Sequence, residues 1–149
     1  MRFVEPNAPL DLHLNTDLRE LYLDGLLLDD SEDSPTHPDP TSQSARMARR
    51  WIPDVLAGIT SWEMRKLVCY LILSYLNGLQ RLDLERIDGV LSQPQFESVD
   101  CVAFSITILP ISGVVPPRRE EIWEAIRSRM ERVEARGVLR LIRDGVILA

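Results

Sequence analysis

With 149 residues, 45% hydrophobic and 27% charged, the chain has the apolar content for one globular domain with a core of its own, which excludes a largely disordered protein. Its longest apolar run, Leu67 to Leu73 and on to Leu76, is about half of the ~20 residues needed to cross a bilayer, so no membrane association is expected. The net charge is −6; residues 1–45 hold ten acids against two arginines, while the arginines of residues 113–149 alternate with Glu120, Glu121, Glu124, Glu131 and Glu134, a pattern that disfavours nucleic-acid binding.

Taken in chain order, Met1 to Pro6 meets Glu5 and a proline before any apolar stretch of secretory length, so no export signal is read. Leu18 to Leu23 then gives a first strand signal, with apolar residues alternating with others. Asp29 to Ser44 is acidic, contains three prolines and several Ser and Thr, and buries too little to fold alone. It is read as an exposed, disordered insertion in an otherwise single domain spanning residues 1–149.

Between Ala45 and Ile59, the spacing of Met47, Trp51, Val55 and Ile59 predicts a helix that either kinks at Pro53 or begins near Trp51. Met64 to Cys69 repeats the strand signal within the long apolar run. Asp83 is a natural N-cap for a short helix with Leu84, Ile87 and Leu91 facing inward, ending before Gln93 and Pro94. Val99 to Phe104 is the third strand signal. Residues 119–135 predict the best-marked helix, with Ile122, Ile126, Met130 and Val133 on one face. Pro116 and Pro117 precede it, Glu120 and Glu121 lie in its first turn, and Gly137 follows as the stop. Arg136 to Leu141 is a degraded fourth strand.

Taking Leu21, Leu67, Val102 and Leu139 as equivalent positions gives intervals of 46, 35 and 37 residues, each long enough for a helix and two loops. The expected fold is therefore α/β: about four parallel strands with helices on the outer face, in the manner of leucine-rich repeats. An open α/β sheet with helices on both faces is the alternative, because periodicity alone does not separate the two.

The segment from Leu82 through Asp83, Ile87, Gly89, Leu91, Pro94 and Phe96 to Val99 resembles the C-terminal repeats of F-box and leucine-rich-repeat-like proteins of mushroom-forming fungi. In that family an aliphatic-Asp-aromatic stretch leads into a short helix and then a Phe-x-x-Leu strand start. Val133 to Leu139 is similar to the family's terminal Ala-Arg-Gly-aliphatic strand. The likeness covers about the last seventy residues, and Leu18 to Leu28 and Trp51 to Leu73 follow more loosely. Leu84 departs from the family's usual aromatic, and no counterpart of the F-box precedes Leu18. The resemblance thus implies the substrate-side repeats of such a protein without its ligase-side half.

Few residues suggest chemistry. His13 and His37 have no Cys, His or carboxylate partner at metal-site spacing. Asp29 to Asp33 lacks the order and the downstream Glu of a calcium loop. The glycines form no phosphate-cradling cluster, and no nucleophile elbow is present. The pairs Glu85 with Asp88 and Glu120 with Glu124 read as exposed, solubilising carboxylates. Trp51 and Trp123 are expected in the core, and Trp62 in a short loop. Cys69 and Cys101 sit among aliphatic residues, which suits reduced, buried thiols in the cytoplasm or nucleus.

No catalytic residue, cofactor, metal or small-molecule substrate is expected. The expected function is a non-enzymatic protein-interaction fragment that holds another protein. Its contact surface would be the strand residues projecting away from the helices, namely Glu20, Tyr22, Asp24, Lys66, Val68, Tyr70, Ala103, Ser105 and Arg140. A truncated relative without a role of its own, or a small α/β enzyme, are the alternatives.

Overall fold

Alternating apolar residues in four short stretches call for strands that bury one side, and the intervening 3.6-period segments call for a helical layer to cover it. The computed structural model describes residues 3–4, 12, 14–28, 52–143 and 146–147. Its strands are β1 (Phe3–Val4), β2 (Glu20–Leu28), β3 (Lys66–Leu73), β4 (Cys101–Ile108), β5 (Leu139–Arg143) and β6 (Val146–Ile147). The helices are α1 (residues 52–57), α2 (Leu84–Leu91), α3 (Arg119–Arg127) and α4 (Glu131–Ala135). The insertion over residues 29–44, both histidines, Met47 and Trp51 lie outside the described residues.

The strands stand side by side in chain order. β1 to β5 are parallel and β6 turns back antiparallel on β5. Leu21 pairs with Leu67, Leu67 with Val102 and Val102 with Leu139, so the four equivalent sequence positions form one rung across the sheet. Each main strand begins two or three residues later than its signal and runs on at its C-terminal end.

In a sheet of monotonic parallel order, crossovers of the usual right hand put successive connections over the same face. The packing agrees. Leu21 and Leu23, Leu67, Cys69, Leu71 and Leu73, Val102, Phe104 and Ile106, and Leu139 and Leu141 alternate to one side. There they join Leu56, Leu84, Ile87, Leu91, Ile122, Ile126 and Val133 in a single buried cluster. Among the described residues, helices from the three connections β2–β3, β3–β4 and β4–β5 thus cover one face of an α/β parallel sheet, the leucine-rich-repeat-like arrangement.

Local chemistry sets the elements. Asp83 caps α2 by accepting from the Arg86 N–H at 3.3 Å, and Leu84, Ile87 and Leu91 are buried as their spacing predicts. Glu121 accepts from the Arg118 N–H at 2.8 Å and closes the first turn of α3. That amide first, and then the Arg118 guanidinium at 3.1 Å from Glu121 Oε1, hold its carboxyl below the usual range. Gly137 stops α4 with φ +71, the left-handed conformation that a Cβ disfavours. Gly78 serves close packing instead: a Cβ there would stand 2.7 Å from the Leu28 carbonyl oxygen of the neighbouring strand.

Two expectations need correction. Residues 119–135 are not one helix: α3 ends at Arg127 and α4 starts at Glu131, with Met130 between them at φ −123, ψ 45. The second correction explains the first. Asp88 is buried, not a solubilising surface acid. Its carboxylate accepts from the Val133 N–H at 2.9 Å and the Arg132 N–H at 3.4 Å. A continuous helix would aim those amides at carbonyls four residues back; here they point to Asp88, which caps α4 from the preceding repeat. Ile122, Ile126, Met130 and Val133 remain buried on one side despite the break.

Polar ties link each repeat to the one before it. Ser61 Oγ donates to the Leu18 carbonyl at 2.8 Å, and Gln95 Nε2 donates to the Ile59 carbonyl at 3.1 Å. Arg86 meets Asp54 at 2.7 Å. The strongest tie is Arg136, whose guanidinium donates to the carbonyls of Leu91, Phe96, Glu97 and Val99 at 2.9–3.3 Å. It satisfies backbone acceptors that the turn between α2 and β4 leaves without ladder partners.

Candidate functional site: the helix-free sheet face

The side chains between the core positions project from the other side of the sheet. Register brings eight of the nine expected contact residues onto that face. Glu20 lies beside Lys66 and, beyond it, Cys101. The next row is Tyr22, Val68, Ala103 and Arg140. In the third row Tyr70 lies beside Ser105, and Asp24 falls at the irregularity in β2 between Leu23 and Leu26. That irregularity sets two β2 residues against the single residue Tyr70, as in a bulge, and re-aims the strand there.

The rows interlock through specific contacts. The Tyr22 hydroxyl donates to Glu20 Oε2 at 2.9 Å, and the Lys66 ammonium sits 5.5 Å from the centre of the Tyr22 ring. Tyr22, and to a smaller degree Glu20 and Cys101, raises the Lys66 pKa. Arg140 folds back to donate to the Gly137 and Leu139 carbonyls at 2.8 and 2.7 Å.

Exposure divides the nine. Val68 at 3% and Ala103 at 1% are buried although neither belongs to the core under the helices. They are the floor between the longer Tyr22 and Arg140 in the same row and contribute no contact area, which corrects their expected role. Glu20, Asp24 and Tyr70 are exposed; Tyr22, Lys66, Ser105 and Arg140 are half-buried.

The face extends further than the sequence motif. Ile72 and Thr107 form a fourth row, and Ile142 pairs with Ser105 in the third. Leu109 continues the ladder by donating its N–H to the Leu73 carbonyl at 2.8 Å and alternates to this same side. These residues lie past the apolar-x-x-apolar-x-apolar signature, and strand alternation carried to Ile108 would have found them.

The other candidates separate. Cys69 is in the core and Cys101 half-buried on the helix-free face, so the thiols point to opposite sides of the sheet and both are free. Burial pushes the Cys69 thiol from 9.0 up to about 12. Trp123 packs against the core edge with Arg127 above its ring at 5.7 Å. Trp62 is 64% exposed. Glu85, Glu120 and Glu124 are exposed as expected.

Among the described residues no three His, Cys, Asp or Glu side chains gather where a metal could be held. In the same residues no helix is long and apolar enough to cross a membrane. Comparisons with family models, curated proteins and solved structures find no match for this chain.

Proposed function

We propose that this chain is a non-enzymatic protein-interaction module that holds another protein against the helix-free face of its parallel sheet. The supporting observation is the segregation of the strand residues. One set is sealed under the helices, and the other carries two tyrosines, both charge signs and a small-residue floor on a continuous surface. Tyrosines beside charges of both signs suit protein recognition better than polyanion recognition. The repeat architecture accords with the resemblance to fungal F-box and leucine-rich-repeat-like proteins. On that reading the partner occupies the place of their substrate, with no ubiquitin-ligase role assigned to any residue here. Free thiols on opposite faces suit the cytoplasm or nucleus.

The test compares the full chain with its Tyr22→Ala, Tyr70→Ala double variant. Proximity labelling and pull-down should recover a set of proteins with the wild type that the variant loses, while both melt cooperatively at similar temperatures. Equal recovery by the two forms removes the surface. A broad, non-cooperative wild-type melt would instead favour a fragment that folds only beside further repeats.

A further inference from the structure

A strand aims the N–H and C=O groups of successive residues to opposite sides, so the last parallel strand of a sheet turns half of them away from its neighbour. β5 is that strand. The Val102 N–H of β4 donates to the Val138 carbonyl at 2.9 Å, which places Val138 on the paired side. The backbone groups of Leu139 therefore face the open edge. Among the described residues β6 pairs with Ile142 and Arg143 and with nothing nearer the start of β5.

Arg140 meets the acceptors at that start. It ends the row that begins with Tyr22, Val68 and Ala103. Its Nη1 donates to the Leu139 carbonyl at 2.7 Å and to the Gly137 carbonyl at 2.8 Å. Both bonds come from one nitrogen, so the Gly137 oxygen lies on the same open side. Val68 and Ala103, the interior positions of the row, carry short apolar side chains on strands whose neighbours supply backbone partners on both sides. The edge position carries a long side chain with five N–H donors and no acceptor. Its permanent charge makes each bond stronger than the neutral amide bond that another strand could offer in exchange. We propose that Arg140 is a built-in edge cap: by engaging the Gly137 and Leu139 carbonyls itself, it keeps an extended strand of a second copy of this chain from adding to the start of β5. Such a strand has to displace the guanidinium from both oxygens before it can pair.

The Arg140→Met variant keeps much of the side-chain length and removes the donors. By sedimentation velocity over a range of concentrations, it should self-associate on the order of tenfold more tightly than the wild type. That change runs against charge, because the substitution makes a chain of net charge −6 more acidic. Arg118→Met removes the same charge from an exposed position at the start of α3 and should behave as the wild type. Pairing is read at the Leu139 amide, whose hydrogen exchange should slow with rising concentration of Arg140→Met and not of the wild type. An Arg140→Met variant no more associated than the wild type overturns the proposal. So does equal association by Arg118→Met, or association without protection at Leu139, either of which assigns the effect to an exposed methionine. The wild type supplies a test independent of how the variant folds. By nitrogen NMR, its Arg140 Nη protons should exchange with water more slowly than those of the exposed Arg118, and equal rates overturn the cap.

Discussion

Leu67 and Val68 are adjacent, similar in size and both almost inaccessible to solvent, yet they are buried in different senses. Leu67 is covered by helices and belongs to a core that continues from Leu12 to Leu141. Val68 lies outside that core, in a row with Tyr22, Ala103 and Arg140 on the opposite face. Burial alone therefore does not tell a stabilising position from one that shapes a surface. The layer that covers it does, and across this sheet the layer changes with every residue along a strand.

The comparison breaks most visibly if the two faces respond alike to truncation. Phe104→Ala, under the helices, should cost about 3–5 kcal/mol by urea unfolding. Equal losses at Phe104 and its surface-side neighbour Ser105 would mean that the opposite face is also a packed core. The polar ties come next. Asp88→Ala leaves two amides of α4 without their buried acceptor and should cost about 1–3 kcal/mol. Hydrogen exchange would show whether the loss is concentrated in α4 and β5, as a cap supplied by the preceding repeat requires.

Cys69 sharpens the contrast through pH. Its thiol is raised from 9.0 to about 12 by burial, so the unfolded chain ionises first. The stability this burial confers is complete below pH 9 and is lost as the pH climbs toward 12. The stability difference between wild type and Cys69→Ala should shift against the wild type over that interval, and native alkylation at pH 8 should label Cys101 well before Cys69. The smallest effect belongs to the surface: Tyr70→Ala should change unfolding free energy by no more than about 0.5 kcal/mol.

Much of this division was legible in the sequence because it rests on local periodicity. The alternation around Leu21, Leu67, Val102 and Leu139 located one rung of the sheet and put eight of the nine surface positions on one side, Asp24 falling at the irregularity in β2. The caps at Asp83 and Gly137 were read from short-range chemistry. Asp88 and Arg136 were not, since their partners lie 37 to 45 residues away and come together only when adjacent repeats stack. A period-3.6 pattern also hides the interruption after Arg127, because Met130 and Val133 keep the apolar stripe in phase across it. The apolar extension at Ile72 and Leu109 went unread because the motif stops short of where the strands do.

The antiparallel β6 constrains how the array can grow. By pairing Ile142 with Ile147 and Arg143 with Val146, it occupies the C-terminal part of the flank of β5 that a further coil running in the common direction would need. A strand that pairs along the whole of β5 must first peel β6 away. Where it pairs, β6 thus guards the last residues of β5 against another strand.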